Sequence, residues 1–215
     1  GVNGDLDNTL TPTDWSDATV VNGTLGFGAT LSALTLVSIK DLGADKSPTV
    51  VTDDVAYLAL AVNDLDLDLI GLESLLEFHG YNVDVLLNKA ADAFPLTAVE
   101  NKLNWSTFGA NGAGYLGLDI DTELAALNAT TLGALTDTVD LKVAGGVALN
   151  VLDGTLVAKG DFTVALGQVE EGTVLTGLST GKADAMVLSL TNVAVFLGVN
   201  GDLDNTLTPT DWSDA

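Results

Sequence analysis

The chain has 215 residues, 47% of them hydrophobic, and its 30 acidic side chains against 7 lysines give a formal charge of −23. This charge argues against nucleic acid and anionic membrane surfaces as partners, because both are bound through basic patches. The apolar content is too high for a disordered acidic tail, and the absence of cysteine excludes disulfides and thiolate metal sites.

The first eighteen residues, Gly1 to Ala18, return without a single change as Gly198 to Ala215. Identity over that length reflects duplication, and the offset between the copies sets a repeat unit of 197 residues (198 − 1). A unit this long exceeds solenoid motifs of roughly 20–50 residues and is the size of a domain. We therefore predict one tandem repeat unit at 1–197 and the start of the next identical unit at 198–215, in a chain cut from a longer array.

Both copies of this segment carry oxygen donors at the spacing of a twelve-residue calcium loop. The predicted ligands are Asn3, Asp5, Asp7, Thr9 (through its carbonyl), Thr11 and Asp14, and in the second copy Asn200, Asp202, Asp204, Thr206, Thr208 and Asp211. Asn8 stands at the sharp turn, where a residue that tolerates positive φ is needed. Thr11-Pro12-Thr13-Asp14 predicts a helical turn leaving the loop. The alternative is an Asx-rich turn that binds no metal.

This stretch resembles the calcium loops of EF-hand and dockerin-type repeats. It departs from them in having Asn3 at the first position, Asp14 in place of the bidentate glutamate at the last, and a strand-like entry. The resemblance implies Ca²⁺ as the cofactor, and the departures imply the weak affinity of an extracellular module that responds to millimolar calcium.

Alternation of apolar and polar residues predicts strands along the remainder of the chain. In four stretches the alternation slips by one residue, which predicts a bulge or corner inside a strand: 27–36, 58–69, 116–124 and 186–197. The second stretch places Asp64, Asp66 and Asp68 on one face, which must then be wet or bridged by cations. The longest uncharged run, 18–39, also alternates, which is typical of strands and not of a transmembrane helix.

Four further segments carry sequence signals for turns or helices. Asp153-Gly154 predicts a hairpin between strands at 147–151 and 156–158. Residues 95–105 predict a short helix with Pro95 in its first turn. The segments 73–78 and 122–127 are ambiguous between helix and strand.

No arrangement of residues predicts an active site, and we expect the protein not to be an enzyme. His79 is the only histidine, so we do not expect a triad or a transition-metal centre built on histidines. Acid pairs such as Asp119 and Asp121 are commonplace in this chain and carry no weight as glycosidase residues. The acids between Asp41 and Asp54 lack ligand spacing and fit a solvated loop.

The sum of these elements predicts an all-β unit with one or two short helical turns. Two architectures fit: an elongated β-solenoid or β-roll that continues through tandem repeats, or separate β-sandwiches joined like beads. No linker rich in proline, glycine or serine separates residue 197 from the second copy, which favours the continuous form.

The wider sequence looks like the long acidic repeats of giant bacterial surface proteins of the adhesin or haemagglutinin-like kind. The stretches that carry this resemblance are residues 190–205, 23–37 and 57–72. It implies an extracellular, cell-surface location and a structural or adhesive role, and it implies no catalytic residues.

We therefore expect a structural repeat of a giant secreted polypeptide, forming a filament, stalk or adhesin shaft stiffened by calcium. Its partners would be neighbouring repeats, with lateral self-association or cell-surface glycans as further possibilities, and no nucleic acid or membrane span. The alternative is a multivalent adhesive or carbohydrate-binding module. Its mark would be exposed aromatic residues along one groove, and the candidates are Trp15, Tyr57, Tyr81, Trp105 and Tyr115.

Overall fold

A computed structural model describes residues 5–7, 16, 18–44, 46–47, 49, 54–92, 101–106, 132–172, 176–178, 181–204 and 212. Over these residues the chain is all-β, with antiparallel strands and no α-helix, which confirms the predicted class. Within the same part of the chain no helix has the length and apolar character to cross a membrane.

Nine strands are described: β1 (Asp5–Asp7), β2 (Thr19–Val21), β3 (Gly26–Thr30), β4 (Ala33–Asp41), β5 (Val55–Ile70), β6 (Leu76–Asp92), β7 (Val139–Val151), β8 (Leu156–Glu170) and β9 (Lys182–Leu197). β1 pairs with β2 in a separate two-stranded sheet. The other seven form one antiparallel sheet in which β3 and β4 lie end to end along β5, followed in order by β6, β7, β8 and β9. The sheet therefore has six strand positions, with β3–β4 at one edge and β9 at the other.

A line of irregular residues crosses this sheet and divides it into two halves. It consists of Ser32, Asp64, Asn82, Gly145, Gly160 and Asn192, and we call it the bulge line. Asp64, Asn82 and Asn192 have φ of 48°, 51° and 52°, the left-handed conformation that a bulge requires and that Asn and Asp tolerate best. The strands are longer on one side (β4 and 182–191 of β9, for example) than on the other (β3 and 193–197); we call these sides the long half and the short half.

The bulge line confirms three of the four predicted phase slips. The register shifts between Val62 and Leu65 in β5, and Asn192 and Val193 lie opposite the single residue Gly160. The slip in 27–36 corresponds to the break between β3 and β4. The fourth, in 116–124, lies outside the described residues.

The hydrophobic core lies on one face of the long half, under two segments that cross it. Its buried members are Val37, Ala59, Ala61, Leu86, Trp105, Leu132 and Leu135. Trp105 is fully buried, and its indole N–H donates to Asn88 Oδ1 at 3.0 Å. Asn88 Nδ2 in turn donates to the carbonyls of Leu103 and Thr136, both at 2.9 Å. The polar atoms of the Asn88 amide are thus all hydrogen-bonded inside the core, and these bonds hold both covering segments against β6.

The structure confirms the predicted turn more closely than the predicted helices. The predicted Asp153-Gly154 hairpin is confirmed: both residues have positive φ, and Gly154 N–H donates to Asn150 Oδ1 at 2.7 Å. Residues 73–75 form a turn and β6 follows, so this segment is not helical. The N–H groups of Gly71 and of Glu73 itself hold the pKa of the Glu73 carboxyl below its usual value.

The predicted helix at 95–105 is wrong over its described part. Residues 101–104 are irregular and a turn follows, because Trp105 N–H donates to the Leu135 carbonyl at 3.0 Å and not within a helix. Residues 95–100 of that prediction lie outside the described residues, as does the segment 122–127.

Candidate functional site at the junction of the two copies

The second copy of the duplicated segment begins as an extension of the sheet and not as a linker. Gly198 N–H donates to the Thr155 carbonyl and Gly201 N–H donates to the Gly154 carbonyl, both at 3.0 Å. Gly154 and Thr155 belong to the turn that joins β7 to β8, so backbone hydrogen bonding runs past the end of β9 into the second copy. The start of the second copy is therefore hydrogen-bonded to the same fold as β7 and β8.

Glycine at position 201 permits a close approach to this turn. A Cβ on Gly201 would lie 2.4 Å from Cδ1 of Phe196, and one on Gly154 would lie 2.1 Å from the Gly201 carbonyl oxygen. A side chain on Gly154 would force the two backbone segments apart, and one on Gly201 would displace the Phe196 ring, because real Cβ atoms do not approach other atoms so closely. The two glycines thus make the contact between the β7–β8 turn and the second copy possible.

Leu203 then packs against the short half of the sheet. Together with Asp202 and Asp204 it borders a shallow groove of about 320 Å³ whose floor comes from β8 and β9: Val157, Ala158, Lys159, Ala194, Val195 and Phe196. Its counterpart in the first copy, Leu6, is 56% exposed in β1. Leu203, which lies beside the sheet, is therefore more buried than Leu6 in β1.

Further along the second copy, Trp212 stacks on the only histidine. The rings of Trp212 and His79 have centroids 3.6 Å apart and an interplanar angle of 16°. His79 lies in β6, where its Nδ1 is 2.6 Å from Asp68 Oδ1 and its Nε2 is 3.2 Å from Glu77 Oε1. Both ring nitrogens are thus held by carboxylates, which fixes the plane on which the indole lies. His79 is 8% exposed, and its contacts favour a structural role.

The junction thus joins the second copy to the sheet at two separated places. Gly198 and Gly201 contact the β7–β8 turn, and Trp212 contacts β6 further into the sheet. Phe196 and His79 lie on the same face of the short half, since cross-strand partners connect them through β8 and β7. The described residues of the second copy therefore contact the sheet both at its β7–β8 turn and on β6.

The predicted calcium ligands are only partly described. Asn3, Thr9, Thr11, Asp14, Thr206, Thr208 and Asp211 lie outside the described residues, and for Asp7 only the backbone is described. Asp5 and Asp7 belong to β1, whereas Asp202 and Asp204 are in an irregular segment and Asn200 has a φ of 57°. In each copy the first aspartate accepts a hydrogen bond from the next residue's N–H, at 2.8 Å from Leu6 and 2.9 Å from Leu203. Among the described side chains no group of three potential metal ligands comes together. The calcium loop stays a prediction.

Carboxylates elsewhere in the sheet accept hydrogen bonds at the bulge line. Asp64 Oδ2 accepts from the Ser32 hydroxyl at 2.8 Å, and Asp66 Oδ1 accepts from Asn82 N–H at 2.9 Å. On β8, Asp161 Oδ2 accepts from the Asn192 side-chain amide at 2.6 Å. Asp64 and Asp66 belong to the row of acids predicted to face water or bridging cations. Their carboxylates also hydrogen-bond to the neighbouring strands where the backbone hydrogen bonding is interrupted.

The aromatic residues proposed for a sugar-binding groove lie mostly inside the fold. Trp105 is fully buried and Tyr81 is 5% exposed, while Tyr57 packs against the core cluster. Trp15 and Tyr115 lie outside the described residues. The described tryptophans do not share one site, since Trp105 is in the core and Trp212 lies on His79.

Sequence reasoning missed the two contacts that define the junction. Gly154 is recognisable as a hairpin residue, but nothing local indicates that it also contacts Gly201, 47 positions later (201 − 154). The pairing of Trp212 with His79 likewise depends on the fold. The one available signal was that the only histidine has an acidic residue, Glu77, two positions before it.

No protein-family model, curated protein or solved structure matches this chain. The repeat, the sheet and the junction are therefore the basis for assigning its function.

Proposed function

We propose that the chain is a structural repeat of a giant secreted polypeptide, in which successive units form one continuous β-rich shaft of an extracellular filament, stalk or adhesin. The observation that carries the proposal is the junction: the first residues of the second copy hydrogen-bond to the β7–β8 turn through Gly198 and Gly201. Units joined in this way share structure and are not connected by a free tether.

Continuity is further supported by the contacts that the duplicated segment makes with the sheet. Trp212 on His79 and Leu203 on the β8–β9 floor restrain the next unit in both position and rotation. A shaft needs the same interface many times, which explains why the duplicated segment is identical in both copies. Separate β-sandwich beads would instead need a polar linker at residue 198, and the sequence there contacts the sheet.

A multivalent glycan-binding module finds less support. It would require solvent-exposed aromatic side chains along a groove, and Trp105 and Tyr81 are committed to the interior. Much of the exposed apolar surface, including the aromatic side chains of Phe27 and Phe196, lies instead on the edge strands β3, β4 and β9, where it suits pairing with protein.

The test is the shape of chains built from one, two and four units. A continuous shaft lengthens by a constant increment per unit at constant cross-section, measured by small-angle X-ray scattering and seen by negative-stain electron microscopy. Units that scatter as flexibly linked particles, with a broad distribution of end-to-end distances, would overturn the proposal. The two-unit chain provides the first decisive comparison with the single unit.

Calcium is proposed to stiffen the shaft at the duplicated loops. If the folded state alone binds it, removing calcium from about 100 times its Kd costs about 2.7 kcal/mol of unfolding free energy. For a chain of this size that lowers the melting temperature by roughly 5–10 °C. Differential scanning calorimetry with and without chelator measures the shift.

Matched variants separate loop binding from general screening of the acidic surface. Replacing Asp202 and Asp204 by asparagine should reduce the chelator-dependent shift, whereas Asp137→Asn, an exposed acid outside the loops, should leave it unchanged. A melting temperature that does not respond to chelator would refute the calcium part and leave the shaft untouched.

A further inference from the structure

The two edges of the large sheet are open and apolar among the described residues. β9 pairs only with β8, and it exposes Met186, Val187, Leu188, Leu190, Val193 and Val195, each by more than half. At the opposite edge, Leu34 and Leu36 of β4 are exposed by 59% and 61%. Long apolar edges are rare in soluble proteins, because an unpaired strand recruits another strand.

We propose that β9 of one unit pairs with β3–β4 of the following unit, so that one antiparallel sheet runs through the array. This pairing rests on the proposed shaft and names the surface that builds it. The occupant of the β9 edge is therefore a second copy of the same unit, entering through the duplicated segment that already follows Leu197.

Strand direction permits this pairing without turning the unit over. Each neighbouring pair in the sheet is antiparallel, and the six strand positions are an even number. β9 consequently runs opposite to β3–β4. A following unit in the same orientation thus presents its β3–β4 antiparallel to β9, which is the pairing used everywhere else in the sheet.

Strand length and the position of the break also match. The long half of β9 spans 182–191 and that of the opposite edge is β4, 33–41; the short halves are 193–197 and β3, 26–30. When Asn192 is set opposite Ser32 of the next unit, Thr191 faces Ala33 and Ala183 faces Asp41. The ends at the bulge line are then flush, Lys182 alone extends beyond Asp41 at the other end, and the bulge line passes into the next unit without a step.

On both faces of the sheet, this register places side chains of similar polarity opposite each other. Leu188 and Leu190 lie opposite Leu36 and Leu34 of the next unit, and Ser189 lies opposite Thr35. Asp184 faces Lys40, whose ammonium already lies 2.6 Å from Asp54 Oδ2 of its own unit, so this register brings a second carboxylate to that ion pair. A slip by one residue would set the exposed leucines against the other face, so the pattern specifies the register.

The apolar rows of the sheet lead to the same edges. One unbroken row of direct cross-strand partners crosses all six positions: Leu36, Leu60, Leu87, Leu141, Leu166 and Met186. A second runs beside it: Leu34, Val62, Val85, Val143, Val164 and Leu188. These rows end in exposed side chains at both edges, and in the proposed register the second row of one unit continues into the first row of the next through Leu188 and Leu36.

The connection is long enough to allow this. Residues equivalent to Gly1–Leu25 separate β9 from the β3 of the next unit, which gives 25 residues. Leu203 and Trp212 both contact the sheet, so in the proposed pairing the chain turns back to the β9 edge after Trp212.

A disulfide between units tests the register, because the chain has no cysteine of its own. In a two-unit chain, residues 1–197 followed by the full 215-residue chain, Met186→Cys in the first unit and Ser38→Cys in the second would lie directly opposite. Opposite residues have Cβ atoms about 4.5–5.5 Å apart, so mild oxidation should close the bond with a yield at least about tenfold above a mismatched pair. Non-reducing gel mobility and peptide mass spectrometry measure the yield.

The matched control moves one cysteine by one residue, to Val187→Cys with the same Ser38→Cys. Its side chain then projects from the other face, so it should not close. Equal yields for the two pairs, or no bond in either, would overturn the pairing.

Hydrogen exchange of the unaltered two-unit chain gives a second measurement without substitutions. The β9 amides of the first unit should exchange more slowly than those of the last unit, which still has an open edge; equal exchange would contradict the pairing. A rigid two-unit rod without the disulfide would leave the shaft standing and remove this interface. If the disulfide closes but the two-unit chain proves flexible, the interface is supported and the continuous shaft is contradicted.

Discussion

Replacing Trp105 by alanine should lower the free energy of unfolding by about 4 kcal/mol, the cost of emptying a fully buried tryptophan site. Trp105 is 0% exposed, contacts the core cluster and donates its indole N–H to Asn88. The substitution creates a cavity and also removes the donor to Asn88 Oδ1. Urea denaturation followed by far-UV circular dichroism measures the loss.

The control for this prediction is Trp105→Phe, which keeps a six-membered aromatic ring at the site and removes the indole N–H together with the rest of the second ring. It should cost about 1–3 kcal/mol, the penalty for leaving a buried acceptor without its donor. If alanine and phenylalanine destabilise equally, the hydrogen bond and not the packing dominates. If alanine costs less than about 1 kcal/mol, the assigned core is wrong.

Gly146→Ala is the second large effect. A Cβ at this position would lie 1.9 Å from Cε2 of Tyr81, its direct partner across β6 and β7. Tyr81 is buried, so its ring cannot swing into solvent, and we expect a loss of about 3 kcal/mol from overpacking. Thermal and urea unfolding of the variant measure this.

Two comparisons identify the cause of that loss. Gly172→Ala places a methyl group where no atom lies within 4 Å, so it should change the stability by less than about 0.5 kcal/mol. In a Tyr81→Ala background Gly146→Ala should become nearly neutral, because the clashing ring is gone; an additive double variant would show that the ring is not the obstacle.

The sequence predicted those features of the fold that have a local cause. The slips at Asn63-Asp64 and Asn192 are visible because the apolar phase changes within a few residues, and Asp153-Gly154 carries its own turn chemistry. The bulge at Asn82 is hidden, because Val85, Leu86 and Leu87 are all apolar and cover both possible phases. Local patterning cannot resolve a slip when both faces are hydrophobic.

Features that depend on distant pairing were beyond the sequence. Asn88 reads as a polar residue in a strand, and its burial makes sense only once Leu103 and Thr136 supply carbonyls to its amide. The same holds for the 95–105 segment, whose described residues are irregular because Trp105 bonds to Leu135 and enters the core. The duplicated ends predicted where in the chain the junction lies. Its contacts with Gly154 and His79 could be seen only in the folded structure.

The 25-residue connection between β9 and the next β3 also bears on how identical units find the right neighbour. Every unit presents the same two edges, so any β9 could in principle recruit the β3–β4 of any other unit, within the chain or between chains. Before the junction contacts form during folding, the connection acts as a tether that holds the next unit at an effective concentration in the millimolar range, far above that of a distant copy. Contacts made early by Gly201 and Trp212 would shorten that tether further. Chain connectivity, more than sequence difference, would then decide the pairing partner and guard the array against swapped or cross-linked assembly.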